Sequence, residues 1–165
     1  MSDVTDSAIE SLRSKIETIR FGMLTNTNSD QGLSSRPMTQ QALDDDGTLW
    51  FFTSDETQLV KDLHAFPKIN VSFANPSDSV YVTVEGDAQV IKDRAKIQEL
   101  WNPMVAAWFP EGIDDPHLSL IKVSIHYAEY WDAVSNKMLQ LFAMAKAAIT
   151  GEKPDHLGEH RKIVF

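Results

Sequence analysis

At Phe21 the spacing of apolar residues falls from three-and-four to two, and strand-like runs then continue to Trp131 with only two helical interruptions. Upstream, Ile9, Leu12, Ile16 and Ile19 recur at helical steps. Ser7 to Ile19 is therefore predicted as an amphipathic helix, with Ser7 and Glu10 at capping-box spacing. Strands are predicted at Phe21–Thr27, Leu33–Leu43, Thr48–Thr53, Ile69–Ala74, Val80–Ile91 and Leu118–Trp131. Turns rich in Asn, Asp and Gly join the first three. Pro37 cannot donate to a ladder, so its strand must lie at an edge or carry a bulge there. Helices are predicted at Glu56–Phe66, N-capped by Ser54 and stopped by Pro67, at Asp93–Trp108, and at Ser135–Ile149. Regular β-α-β alternation is absent. This disfavours a doubly wound parallel sheet and favours a mostly antiparallel barrel with helices packed outside.

The chain has 165 residues, 42% apolar and 24% charged, which suits one globular domain over 1–165. Residues 1–6 and 151–165 read as peripheral tails. There is no cysteine, so disulfides, thiolate nucleophiles and Cys-based zinc sites are excluded. A formal net charge of -9 argues against a nucleic-acid partner, which needs a basic face. Met1 to Asp6 is acidic and polar, unlike a signal peptide. Met138 to Ile149 is too short to span a bilayer and carries Gln140 and Lys146, so no membrane partner is expected. The expectation is a cytoplasmic protein.

Neither of the common glycine-rich nucleotide loops occurs, and there is no G-x-S-x-G elbow. His156 and His160 share a spacing that suits a helix face, but as a polar tail they fit better than as a metal pair, and no metal is expected. His64, His117 and His126 are scattered, and Asp44 to Asp46 reads as a solvated turn. Three segments differ from plain scaffolding. In Ser34-Ser35-Arg36-Pro37-Met38, strand alternation points Ser34 and Arg36 the same way. Phe52-Thr53-Ser54 runs into the helix bearing Thr57 and Lys61, so hydroxyls and a cation gather near free backbone N–H groups. Those residue types suit a phosphate monoester, although Arg36 and Lys61 read equally well as surface charges. Tyr130-Trp131-Asp132 closes the last long strand. Trp131 there fits a core or interface position, or an edge against a planar ligand. No residue stands out as a catalytic acid or base.

Taken in order, Ser35-Arg36-Pro37-Met38, WFFTSDETQLVKDL from Trp50, VYVTVEGDA from Val80, WNPMVAAWFPEG from Trp101, AEYWD from Ala128 and GEKPDHLGEHRK from Gly151 resemble one family. This is the pyridoxamine 5′-phosphate oxidase-like FMN-binding split-barrel family, in its general stress protein branch. The resemblance implies a mainly β (α+β) fold: a six-stranded antiparallel Greek-key split β-barrel with flanking helices. It implies a homodimer with FMN, or FAD, in sites shared between subunits. Carried over by motif, Arg36 and Lys61 would bind the flavin phosphate, and Thr53 and Ser54 the phosphate or ribityl chain. Pro37 and Met38 would lie along the isoalloxazine ring, and Trp131 would reach the flavin from the other subunit. Thr57 joins this set from helix N-terminal geometry. Asp132 to Lys137 lacks the Arg and His that bind the substrate phosphate in true pyridoxine-phosphate oxidases, and Tyr81 replaces their usual Gln. The resemblance therefore points away from pyridoxamine-phosphate oxidation. It points to a flavin-dependent oxidoreductase of unknown substrate, or to a protein that stores or senses flavin without turnover.

Overall fold

The computed structural model describes residues 2–133, 137–151, 153 and 158–165. In chain order it contains α1 (Ser2–Ile16), β1 (Phe21–Thr27), β2 (Leu33–Leu43), β3 (Thr48–Ser54) and α2 (Gln58–Ala65). There follow β4 (Lys68–Asn75), β5 (Val80–Ile91), α3 (Arg94–Leu100), α4 (Pro103–Trp108), β6 (Leu118–Ala133), α5 (Lys137–Thr150) and β7 (Gly158–Val164). All pairings are antiparallel, in the order β3-β2-β1-β4-β5-β6-β7, and β3 also pairs with β6. The contact between β3 and β6 closes a six-stranded barrel. No helix among the described residues is long and apolar enough to cross a membrane.

The split in the barrel has a local cause in β6. Residues Leu118 to Ser124 pair with β3, whereas Tyr127 to Ala133 pair with β7. Between them the register against β5 slips at Glu85/Gly86, so His126 is the extra residue of a bulge. Gly86 is required there, because a Cβ would sit 2.2 Å from the Ser124 carbonyl oxygen. β7 corrects the expectation of a peripheral tail: Ile163 is buried in the barrel core, and Tyr130 donates to Glu159. His156 and Ser135 lie outside the described residues.

Alternating inward residues fill the barrel, among them Leu24, Leu49, Phe51, Val71, Phe73, Val82, Val84 and Val123, and α1 adds Ile9, Leu12 and Ile16. The α1 helix begins at Ser2, so Ser7 is interior and not the cap. β3 is covered on both faces. Its Trp50 packs outside the barrel with Ile97, Leu118 and Leu120, and Phe52 and Trp101 border that second cluster. Pro37 fits its strand because β3 pairs with β2 only from Gln40 onward, leaving the earlier half of β2 open on that edge. The Asp44–Asp46 turn is more than solvated. Asp44 accepts from the Trp50 indole at 2.8 Å and pairs with Lys96 at 2.9 Å, while Asp45 pairs with Arg13 at 2.6 Å.

Candidate functional site

Where β2 passes the end of β3, the barrel wall and α4 enclose a cavity of about 340 Å³. Pro37, Met38, Phe52, Val105 and Phe109 give it apolar walls, and Thr39, Gln41, Thr53, Ser54 and Thr57 give it hydroxyl and amide groups. Met104 and Trp108 form its rim, with Trp108 80% exposed. No charged residue among the described ones lines it. A space of this size, mostly apolar with a few polar groups, is of the kind that takes a small organic ligand.

Each wall has a local origin. The Ser54 carbonyl accepts from the Thr57 hydroxyl at 3.0 Å, and Thr57 Oγ1 accepts from the Val60 N–H at 3.4 Å. Thr57, not Ser54, is thus the N-cap of α2, which starts two residues later than the sequence spacing implied. On the other side, the predicted helix Asp93–Trp108 is two helices. Asn102 caps α4 by accepting from the N–H groups of Met104 and Val105, and Pro103 takes the first helical position. Asn102 Nδ2 also donates to Gln41 Oε1 at 2.9 Å, tying α4 to β2 across the cavity.

Of the residues expected at a site, Pro37, Met38, Thr53, Ser54 and Thr57 meet around this cavity. Arg36 and Lys61 do not line it, although Arg36 precedes Pro37 in β2. Lys61 is exposed one turn along α2 from Thr57. Arg36 is half-buried, and its Nη1 donates to Asn26 Oδ1 at 2.6 Å. Burial pushes the Arg36 pKa below its ordinary value, opposed by the charge of Asp62 on α2. Its guanidinium therefore faces the helix that carries Lys61. Trp131 lies elsewhere, 41% exposed on β6 and stacked on His160 with ring centroids 5.2 Å apart. Gln41, Thr39, Met104 and Trp108 were not anticipated. Neither was Asn26, although it is a polar residue in the inward row of β1 with Gly22 and Leu24.

The cavity thus has an uncharged lining among the described residues and includes the N-cap of α2. Comparisons with known proteins give the family. The chain is 31% identical over 168 residues to Protein bli-3 of Neurospora crassa, covering 96% of this chain and 80% of that protein. A protein of Jannaschia sp. CCS1, provisionally assigned as general stress protein 26, superposes with a TM-score of 0.76 at 30% identity over 100% of both chains. The general stress FMN/FAD binding protein of Xanthomonas citri gives 0.63 at 29% identity, over 80% of this chain and 90% of that one. The family profile described as "Pyridoxamine 5'-phosphate oxidase like" matches residues 7–155, and the chain belongs to that family.

Proposed function

We propose that this chain is a cytoplasmic FMN-binding general stress protein, a flavin-dependent oxidoreductase that works as a homodimer. One observation carries the reading. Arg36, next in sequence to Pro37 of the cavity wall, is half-buried and has no counter-ion within ion-pair distance among the described residues. Arg13 and Arg94, by contrast, are each paired with a carboxylate at 2.6 Å. A partly desolvated cation whose nearest carboxylate, Asp62, is reached only through Asn26 gains from an anion that binds it directly. In this reading Arg36 and Lys61 hold the phosphate. Thr53, Ser54 and Thr57 meet the phosphate or ribityl chain, Pro37 and Met38 lie along the ring, and Trp131 comes from the second subunit. The bound flavin would supply the electron chemistry, and the chain its binding and orientation. FAD shares the first phosphate with FMN and is the natural second ligand to titrate.

The absorbance spectrum of purified protein with added FMN tests binding. Arg36→Ala combined with Lys61→Ala should weaken FMN by about ten-fold or more, since charge-assisted bonds to phosphate are lost, and leave riboflavin binding nearly unchanged. Equal losses for the two ligands would remove the phosphate assignment.

The absence of any charged residue among the described ones from the cavity lining favours a second reading, in which flavin is stored or sensed without turnover. Oxidation of NAD(P)H by the holoprotein separates the two. Turnover with some acceptor supports the oxidoreductase, and none with any acceptor supports the binding protein.

A further inference from the structure

Asn26 is 1% exposed at the end of β1, on the strand face that points into the barrel. It lies opposite Ser34 in the ladder and diagonal to Arg36, whose own partner is Leu24. Its Oδ1 accepts from Arg36 Nη1 at 2.6 Å. Its Nδ2 donates to the Thr27 carbonyl at 2.8 Å and to Asp62 Oδ2 at 3.4 Å. Asp62 is 4% exposed, and its other oxygen accepts from Gln58 Nε2 at 2.9 Å. A buried polar chain thus runs from β2 through β1 to α2.

The position demands an acceptor on one side and a donor on the other, and a neutral amide provides them on two separate atoms, Oδ1 towards Arg36 and Nδ2 towards Thr27 and Asp62. Neutrality has a second effect. A carboxylate against the guanidinium would form a closed ion pair and compete with any incoming anion. The amide orients the guanidinium and leaves its charge available, while the negative charge of Asp62 is held one residue further back. Arg36 has no other hydrogen-bond acceptor among the described residues, so its remaining N–H groups are free for a ligand.

We infer that Asn26 is a positioning residue for Arg36, a neutral tether that presents the guanidinium to the flavin phosphate. This rests on the phosphate reading above. The test compares FMN with riboflavin by quenching of flavin fluorescence in Asn26→Ala and Asn26→Asp, with Tm recorded for each. FMN affinity should fall about ten-fold in Asn26→Ala, the loss expected for one charge-assisted bond left unaimed, and further in Asn26→Asp, where the cation is quenched. Riboflavin affinity should stay near wild type. In an Arg36→Ala background, Asn26→Ala should not change FMN affinity further. If a variant fails to fold, Asn26→Ser, which keeps a small polar group but removes the amide oxygen that holds Arg36, carries the measurement. Equal losses for both flavins, or losses that persist without Arg36, would assign Asn26 a structural role only. An Arg36→Ala protein with undiminished FMN preference would overturn the phosphate assignment itself, and the tether with it.

Discussion

His117 Nδ1 meets Asp55 Oδ1 at 2.9 Å, and its Nε2 lies 3.6 Å from Glu56. The Asp55 N–H donates back to the His117 carbonyl at 2.9 Å, and Lys92 pairs with the other Asp55 oxygen at 2.6 Å. This cluster latches the turn bearing Ser54 and Thr57 to the start of β6. The hydrogen bond to Asp55 raises the His117 pKa above its ordinary 6.5, helped by the charges of Glu56 and Asp115 and opposed by desolvation. Lys92 first, then His117, lowers Asp55 below its ordinary 3.8. A raised histidine pKa contributes stability that is complete below 6.5 and is lost as pH rises through the folded value. The Asp55 contribution has the other sign: it is present above 3.8 and lost as pH falls through the lowered value. Tm of the wild type should therefore decline more steeply than that of His117→Gln between about pH 6 and pH 8. Parallel Tm curves would show that the latch contributes nothing. At this scale part of the candidate cavity lining was legible. Thr53, Ser54 and Thr57 stand at a strand-to-helix junction, and Pro37-Met38 is conspicuous within a strand. Gln41 and Trp108 were not, because what places them is a contact between β2 and α4, 61 residues apart at Gln41 and Asn102. No local pattern encodes that separation.

The strands were readable as elements because period-two alternation is a direct signature of a half-buried sheet. β1, β2 and β5 have the bounds their patterns implied. Helix ends were less legible, since several polar residues compete for each cap. Ser7 and Ser54 have suitable chemistry, yet α1 starts earlier and α2 later. The division between α3 and α4 could have been read, because Asn102-Pro103 is a helix-start signal. The apolar run on either side masked it. This division matters for the site, since α4 supplies the cavity wall. Asn102→Ala removes both the cap and the bond to Gln41, and should lower unfolding free energy by about 1 kcal/mol in urea titrations. By loosening a wall of the cavity, it should weaken FMN and riboflavin alike if the proposed ring lies there. A loss confined to FMN would mean that α4 bears on the phosphate.

For the whole molecule, the barrel closure followed from strand order, but β7 did not, because GEHRKIV is too polar to announce a strand. It forms by pairing with β6 beyond the bulge, where β3 has left that edge free. Its pairing sets His160 beside Trp131, and the same row of outward positions continues through Tyr81 to Ala74. Phe21 extends this row on β1, where neighbouring Gly22 pairs with Phe73. Phe21, Met23, Tyr81 and Trp131 are all exposed on this outer sheet face, and on α5 Leu141, Met144 and Ile149 are exposed too. A continuous apolar row across four strands is the kind of surface that a two-fold partner covers. Such a partner would also bring a second Trp131 into play, as the proposed shared site requires. Light scattering should therefore report a dimer for the wild type. Tyr81→Lys, at the middle of the row and away from the cavity, should give a folded monomer with weakened binding of both FMN and riboflavin. A monomeric wild type would remove the shared site, and a monomeric variant with full flavin affinity would place the whole of the flavin contact within one chain.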